Sequence, residues 1–385
     1  VKRGQLLSTL QGSNMPDMLQ QTLCGWGKHL VPAEFGHRIA VDEIEFSVRN
    51  SPKWALGMPQ AYDLRERGLS PAGEIALGMA MINKTMEDLI DRGLTVDQVA
   101  PSLAWVSTSD IDFFEEIAKF RALRRYWART MKERFGSQDV RAQRLRIACH
   151  TSGKSLVYKQ PLNNLTRTAI QGLAALCGGV QSLEACTFDE PVCVPTHEAR
   201  ELATRQQQIL ANEVGAARVA DPFGGSYYIE ALTDQVEAEA VAMLTQIEKV
   251  GLIEAIASGQ IEQMMDDFNF DLQREMDSGE RIMVGVNQFV PEDEPSPTRF
   301  KFDRTNTYAH IRRFSELKQQ RDQALWSASL KNVHNVVRDG NNPMQAMIDA
   351  FIADASIGEI WGTVRVAYGH SFDPYGHLQA PLSYT

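Results

Sequence analysis

Pro101-Ser102-Leu103-Ala104-Trp105-Val106 is a short apolar run opened by a proline, and it reads as a buried strand. An amphipathic helix follows over residues 111–135, through Phe113-Phe114-Glu115-Glu116-Ile117-Ala118-Lys119-Phe120-Arg121. Asp110 or Ser109 stands where its cap belongs, and Ile117, Phe120, Leu123, Trp127 and Met131 form its apolar stripe. That stripe reads as core packing; Arg121, Arg124 and Arg125 read as a solvated face. A second strand, residues 144–153, carries Arg146-Ile147-Ala148-Cys149-His150-Thr151-Ser152-Gly153. The next helix carries Asn163-Asn164-Leu165-Thr166-Arg167-Thr168, and a third strand spans residues 181–190, Gln181-Ser182-Leu183 to Phe188-Asp189-Glu190. Strand, helix, strand, helix, strand is the grammar of a parallel α/β architecture.

Toward the amino end, residues 6–11 read as a strand broken by Gly12-Ser13-Asn14, and 17–24 as a short helix. Residues 37–48 mix both periodicities. Residues 55–62 read as a strand, and 70–92 as a helix with Gly93 as its C-cap glycine. Toward the carboxyl end, residues 196–214 are helical, and 218–228 read as a strand end and glycine loop. Gly224-Gly225 lacks both the P-loop lysine and the dinucleotide fingerprint. Thr233 reads as the cap of a helix through Val250, 251–279 as helical, and 282–290 as a late strand. The charged, proline-bearing stretch 292–297 is a linker. Residues 307–369 are mostly helical, and 371–381 are loop-like.

Composition narrows the function classes. A net charge of −10 argues against a general nucleic-acid or anionic-membrane binder. No apolar run approaches transmembrane length, and no signal-peptide pattern opens the chain. Five cysteines without paired short spacing fit a reduced, cytoplasmic setting, with no disulfide framework and no metal site. Their plain reading is as small buried hydrophobes.

In order, these words resemble the catalytic barrel of the adenosylcobalamin-dependent acyl-CoA mutases, the methylmalonyl-CoA mutase family. The matching words are Thr9-Leu10-Gln11, Pro52-Lys53-Trp54, the Phe113 helix, Thr151-Ser152-Gly153, Asn163 to Thr168, Gln181-Ser182-Leu183 and Phe188-Asp189-Glu190. Ala220 to Tyr228 and Val284-Gly285-Val286-Asn287 extend them, so the resemblance runs from about Leu7 to about Gly369. It implies a (β/α)8 TIM-type barrel over residues 1–290, a linker over 291–306 and a helical region over 307–385. Five or six β/α steps are countable where a closed barrel needs eight strands. Three readings stay open: missing amino-terminal strands come from another chain, the sequence, which opens on Val1, is a piece of a longer one, or the count is short.

The resemblance also implies site residues. Tyr62 falls at the family's active-site tyrosine and Gln11 at the glutamine facing the acyl end. Glu66 and Glu190 match acids near the cofactor, and Gly153 lies where the backbone approaches the corrin. Arg141, Gln181 and Ser182 match positions that contact CoA; a cation at Arg141 suits phosphate. Departures cluster in the same pocket. Asp63 stands where the family has the histidine that donates to the thioester carbonyl. A carboxylate there repels a developing oxyanion unless burial keeps it protonated. Ser102 replaces an arginine, Ala148 a histidine, His150 a glutamine and Cys186 a cofactor-side asparagine, and a further arginine is lost around Gly25-Trp26. His150 reads equally as a new acid/base group or a satisfied core histidine. It cannot pair with Cys149, because neighbours on a strand face opposite ways.

The sequence carries no Asp-x-His-x-x-Gly, the signature of the cobalamin domain. The resemblance therefore implies an isomerase subunit acting on an acyl-CoA, with adenosylcobalamin on a partner chain and barrel strands supplied by that partner or another. Two other readings stand beside it. One is a non-catalytic, mutase-like assembly subunit; the other is a cobalamin-independent pocket doing acid/base chemistry with Asp63 and His150.

Overall fold

The computed structural model describes residues 4–24, 32–292 and 299–384. Five parallel strands lie side by side in chain order: β1 (Gly12–Asn14), β2 (Trp54–Gln60), β3 (Leu103–Ser109), β4 (Ile147–Thr151) and β5 (Ser182–Glu184). Gly12 pairs with Trp54, Leu56 with Leu103, Trp105 with Ile147, and Cys149 with Leu183. A strand order that never reverses is that of a barrel wall, whereas a doubly wound sheet changes direction. The chain is thus α/β with a parallel five-stranded section of such a wall; among the described residues no eight-stranded ring closes.

The helices are α1 (Met18–Leu23), α2 (Ala33–Asn50), α3 (Ala61–Arg67), α4 (Pro71–Asp91), α5 (Phe113–Arg129), α6 (Asn163–Gly178) and α7 (His197–Asn212). They continue with α8 (Tyr227–Val250), α9 (Leu252–Ala257), α10 (Gln260–Ser278), α11 (Thr305–Gln320), α12 (Gln323–Arg338), α13 (Met344–Ile352) and α14 (Ile357–Ala367). Helix α4 has the ends its sequence announces. Ser70 caps it by accepting from Gly73 N, and Pro71 occupies its first turn. At the other end Gly93 takes φ +83°, while Leu94 N bonds Leu89 O and Gly93 N bonds Ile90 O, a Schellman closure.

Alternation along β3 sends Trp105 toward the helices, where it is fully buried. It lies so close to α4 that a Cβ on Gly78 would fall 2.3 Å from its ring. The stripe of α5 (Ile117, Phe120, Leu123, Trp127) is buried as its spacing requires, and a π-turn over Thr130–Arg134 extends it.

Between α4, α5 and β3 lies a charged group that periodicity does not announce. Lys119 Nζ is 2.8 Å from Glu74 Oε2 and 2.6 Å from Glu116 Oε2, all three side chains fully buried, and it also donates to Thr108 O. Ser107 Oγ donates to the other Glu74 oxygen.

Several local expectations are corrected. The cap of α5 is Asp112, whose side chain accepts from Glu115 N. Arg121, Arg124 and Arg125 are no solvated face. Arg121 pairs with Asp221 and Glu230, Arg125 with Asp234 and Glu237, and Arg124 donates to Gly178 O, tying α5 to α8 and α6. Residues 7–9 form a 3-10 turn, and the strand is the Gly12-Ser13-Asn14 segment read as a turn. Helix α8 starts at Tyr227, so Thr233 lies inside it and donates to Ile229 O. Residues 185–190 turn away from the sheet after β5 ends at Glu184. The 282–290 run makes one isolated bridge, Val284 to Gln288, around Gly285 at φ +84°. Residues 37–48 lie within α2. Most of the 292–297 linker, and the Gly25-Trp26 region, fall outside the described residues.

The carboxyl-terminal helices build a second core. Trp326, Leu330 and Val333 of α12, Ala346 and Ala350 of α13, and Ile360 and Val364 of α14 pack with Phe35 and Ile39 of α2. Helix α11 buries none of its residues.

Candidate active site at the carboxyl ends of the strands

Helix α3 begins at the residue after β2 ends, so Tyr62 and Asp63 lie in its first turn, not on a strand. This is the carboxyl end of a parallel sheet, where such folds carry their sites. The Tyr62 ring lies 4.6 Å from the His150 ring at 35°, and its Oη is 3.9 Å from Cys186 Sγ. Burial, with Cys186 and Glu66 near, pushes the phenol far up, so it stays an O–H. One turn later Glu66 Oε2 accepts from Lys154 N at 2.6 Å, and the carboxylate lies near the Ser152 hydroxyl. A Cβ placed on Gly153 would sit 3.5 Å from Glu66 Oε2, 3.9 Å from Tyr62 Oη and 4.0 Å from Glu190 Cγ. Four of the residues singled out from the sequence therefore converge on one point. Desolvation raises the carboxyls of both Glu66 and Glu190, the latter also held by Thr187 Oγ1 at 3.4 Å.

Tyr62 and Glu190 border a cleft with a volume of about 470 Å³, which His150, Glu184, Cys186 and Arg200 also line. Strand alternation separates Cys149 from His150 as expected. Cys149 is 1% exposed toward the helices, whereas His150 faces the cleft with Nδ1 3.6 Å from Glu184 Oε2. Asp63 turns toward α1: its Oδ2 accepts from Gln20 Nε2 at 2.5 Å and from Gln60 Nε2 at 3.4 Å. Burial raises its carboxyl against the lowering effect of these bonds and of the His150 charge. Beside it the Cys24 thiol is pushed up to about 12 by burial and by the Asp63 charge.

The remaining candidates lie elsewhere. Gln11 is exposed just before β1 and makes none of these contacts. Arg141 is in a single helical turn ahead of β4, 76% exposed, its guanidinium 2.7 Å from Asp139. Gln181 spends its amide joining strands, accepting from Ile147 N and donating to Gly179 O, each at 2.7 Å. Ser182 pairs with Ala148 at the start of β5. Arg141 and Gln181 stand before their strands begin and Ser182 opens β5, at the end of the sheet opposite Tyr62. Gln20, Glu184 and Arg200 join the site without a sequence signal. Cys186 had one, as a departure from the family pattern.

The protein-family model for methylmalonyl-CoA mutase matches residues 1–370. The chain belongs to the methylmalonyl-CoA mutase family. Within that family it is similar to the 2-hydroxyisobutanoyl-CoA mutase large subunit of Aquincola tertiaricarbonis, 36% identical over 374 residues, covering 94% of this chain and 66% of the relative. The methylmalonyl-CoA mutase of Rhizobium meliloti (strain 1021) is 31% identical over 372 residues, covering 96% of this chain and 51% of the relative. The mitochondrial methylmalonyl-CoA mutase of Homo sapiens is 31% identical over 372 residues, with 96% and 49% covered. This mutase-family chain thus spans about half to two thirds of the length of these relatives. No helix among its described residues is long and apolar enough to cross a membrane.

Proposed function

We propose that the chain is one component of an acyl-CoA mutase that rearranges the carbon skeleton of an acyl-CoA thioester, with adenosylcobalamin carried on a partner chain. The observation that carries this reading is the convergence of Tyr62, Glu66 and Glu190 around Gly153 at the carboxyl ends of the strands, where Tyr62 and Glu190 line a cleft. These residues fit a large cofactor laid against that end: Gly153 offers bare backbone, and the buried Glu66 carboxylate beside it, near the Ser152 hydroxyl, can accept from a ligand hydroxyl. When bound, the cofactor supplies the radical that starts the rearrangement.

The chain's own residues bind and orient. Glu66 and Glu190 accept hydrogen bonds from ligand hydroxyls. Tyr62, kept neutral and braced on His150, walls off the reacting group and excludes water. Asp63, anchored through Oδ2 and raised by burial, donates to the thioester carbonyl from its protonated form. An acyl-CoA running along the inner face of the sheet, past Gln11, brings its phosphates toward Arg141, Gln181 and Ser182. The 2-hydroxyisobutanoyl-CoA mutase relative is named as a large subunit, which supports a partner chain here.

Reconstitution with the partner chains, adenosylcobalamin and candidate acyl-CoAs should yield a rearranged acyl-CoA; none from a complete set removes the reading. A second reading draws on His150, which has Tyr62 on one side and Glu184 on the other: acid/base chemistry on a thioester without cobalamin. Asp63→Asn separates the two. It keeps a donor for the carbonyl and so preserves the mutase, but it abolishes acid/base turnover.

A further inference from the structure

Arg65 precedes Glu66 and Lys154 follows Gly153, yet both line a separate cavity of about 300 Å³ that shares no lining residue with the cleft at Tyr62. Phe268, Leu272 and Met276, four apart on α10, give this cavity one apolar wall, and Ile111 and Met283 add to it. The polar part of the lining is built around a buried cation. Arg65 is 5% exposed, and its Cζ lies 5.7 Å from the centre of the Phe268 ring. Its Nη1 donates to Leu69 O, and its Nη2 is 3.7 Å from both Asp110 Oδ2 and Glu116 Oε1. Its Nε is buried without a hydrogen-bond partner among the described residues, so this N–H calls for an acceptor. Lys154 reaches the same place, its Nζ 5.8 Å from the Phe268 ring and 2.6 Å from Asn269 Oδ1. Burial first, and then the Arg65 charge, lowers its pKa; an anion in the cavity would oppose both effects.

An anion alone does not suit the lining, because Asp110, Asp112 and Glu115 also belong to it. A simple amine suits it no better, since it leaves Arg65 and Lys154 facing a like charge. Asp110 stands beside Arg65, so the site presents a carboxylate and a cation side by side. A ligand that carries its own carboxylate and ammonium on one carbon answers both, and the α10 wall then takes an apolar side chain. We propose that this cavity is a binding site for a free hydrophobic α-amino acid. Its carboxylate accepts from Arg65 Nε and Lys154 Nζ, its ammonium donates to Asp110, and its side chain packs on Phe268, Leu272 and Met276. The inference does not depend on the mutase reading, because none of these residues belongs to the radical cleft.

Isothermal titration calorimetry of the whole chain with L-leucine tests it. Leucine should bind with a Kd below about 1 mM. Three analogues should each bind at least about tenfold more weakly: glycine, which lacks the side chain, isocaproate, which lacks the ammonium, and isoamylamine, which lacks the carboxylate. Leu272→Trp, which fills the cavity from α10, and Arg65→Gln, which removes the guanidinium, should each weaken leucine by at least about tenfold. Where Arg65→Gln fails to fold, Leu272→Trp and the analogues decide. No leucine binding to the folded chain overturns the proposal. Leucine binding unchanged in Leu272→Trp overturns it too, by placing the site elsewhere. Isocaproate binding as tightly as leucine also overturns it, because the cavity then takes plain carboxylates.

Discussion

Asp63 and Gln20 work as a pair, and pH exposes it. Burial lifts the Asp63 carboxyl, so the protonated donor survives to higher pH than an ordinary aspartate allows. If that donor serves the thioester, the rate falls as pH rises through its raised pKa. Asp63→Asn should flatten this descending limb, and Asp63→Ala should cost about 10²–10³-fold in kcat. The Gln20 hydrogen bond favours the carboxylate, so Gln20→Leu should move the limb to higher pH. A limb that does not move separates Gln20 from the chemistry. Gly153→Leu is the steric counterpart. Gly153 is not in the left-handed region, and its Cβ meets only ordinary contacts, so the melting temperature should change by no more than about 2 °C. The longer side chain still fills the space between Tyr62, Glu66 and Glu190, and cofactor-dependent activity should drop at least about a hundredfold by the loss of positioning. Tyr62, Glu66, Gly153 and Glu190 were picked out through the family resemblance, Gly153 and Glu190 within its matching words, and the fold brings the four together. Gln20 reaches Asp63 across 43 positions and Cys186 reaches Tyr62 across 124, and no local pattern encodes such pairings.

Helices α4 and α5 are joined by a salt bridge taken wholly out of water. Removing the cation by Lys119→Met leaves Glu74 buried without an ion-pair partner and Glu116 with only the more distant Arg65 guanidinium at 3.7 Å, which should cost about 3–5 kcal/mol in chemical denaturation. The sign of its pH dependence follows. Burial already pushes the Glu116 carboxyl up to about 7 against the lowering Lys119 charge, and without that charge it binds its proton still more tightly in the folded state, so the variant gains stability as pH falls. The deficit of Lys119→Met against wild type should therefore shrink between pH 8 and pH 5.5; a deficit that grows contradicts the assignment. Element boundaries were legible where capping chemistry is local, as at Ser70 and Gly93. They were not where neighbours decide. Gly12-Ser13-Asn14 has turn composition but becomes a strand because β2 lies beside it. The apolar 282–290 run has strand composition but makes only one isolated bridge, and Gly285 folds it back.

At the scale of the whole molecule, parallel order and crossover helices were legible from alternation and spacing alone, whereas the second core was not. Its amphipathic helices were visible, but nothing in them names α2 as their partner. Phe35→Ala should test that partnership, costing about 3–5 kcal/mol through the cavity left among Trp361, Tyr368 and Ile39. The contact also orders events in time. Phe35 and Ile39 emerge from the ribosome some 290 residues before Trp326, so at roughly 5–20 residues per second their apolar face waits about 15–60 s for its cover. A nascent chain stalled before α12 should therefore bind chaperones through α2, and release should coincide with synthesis of the last helices.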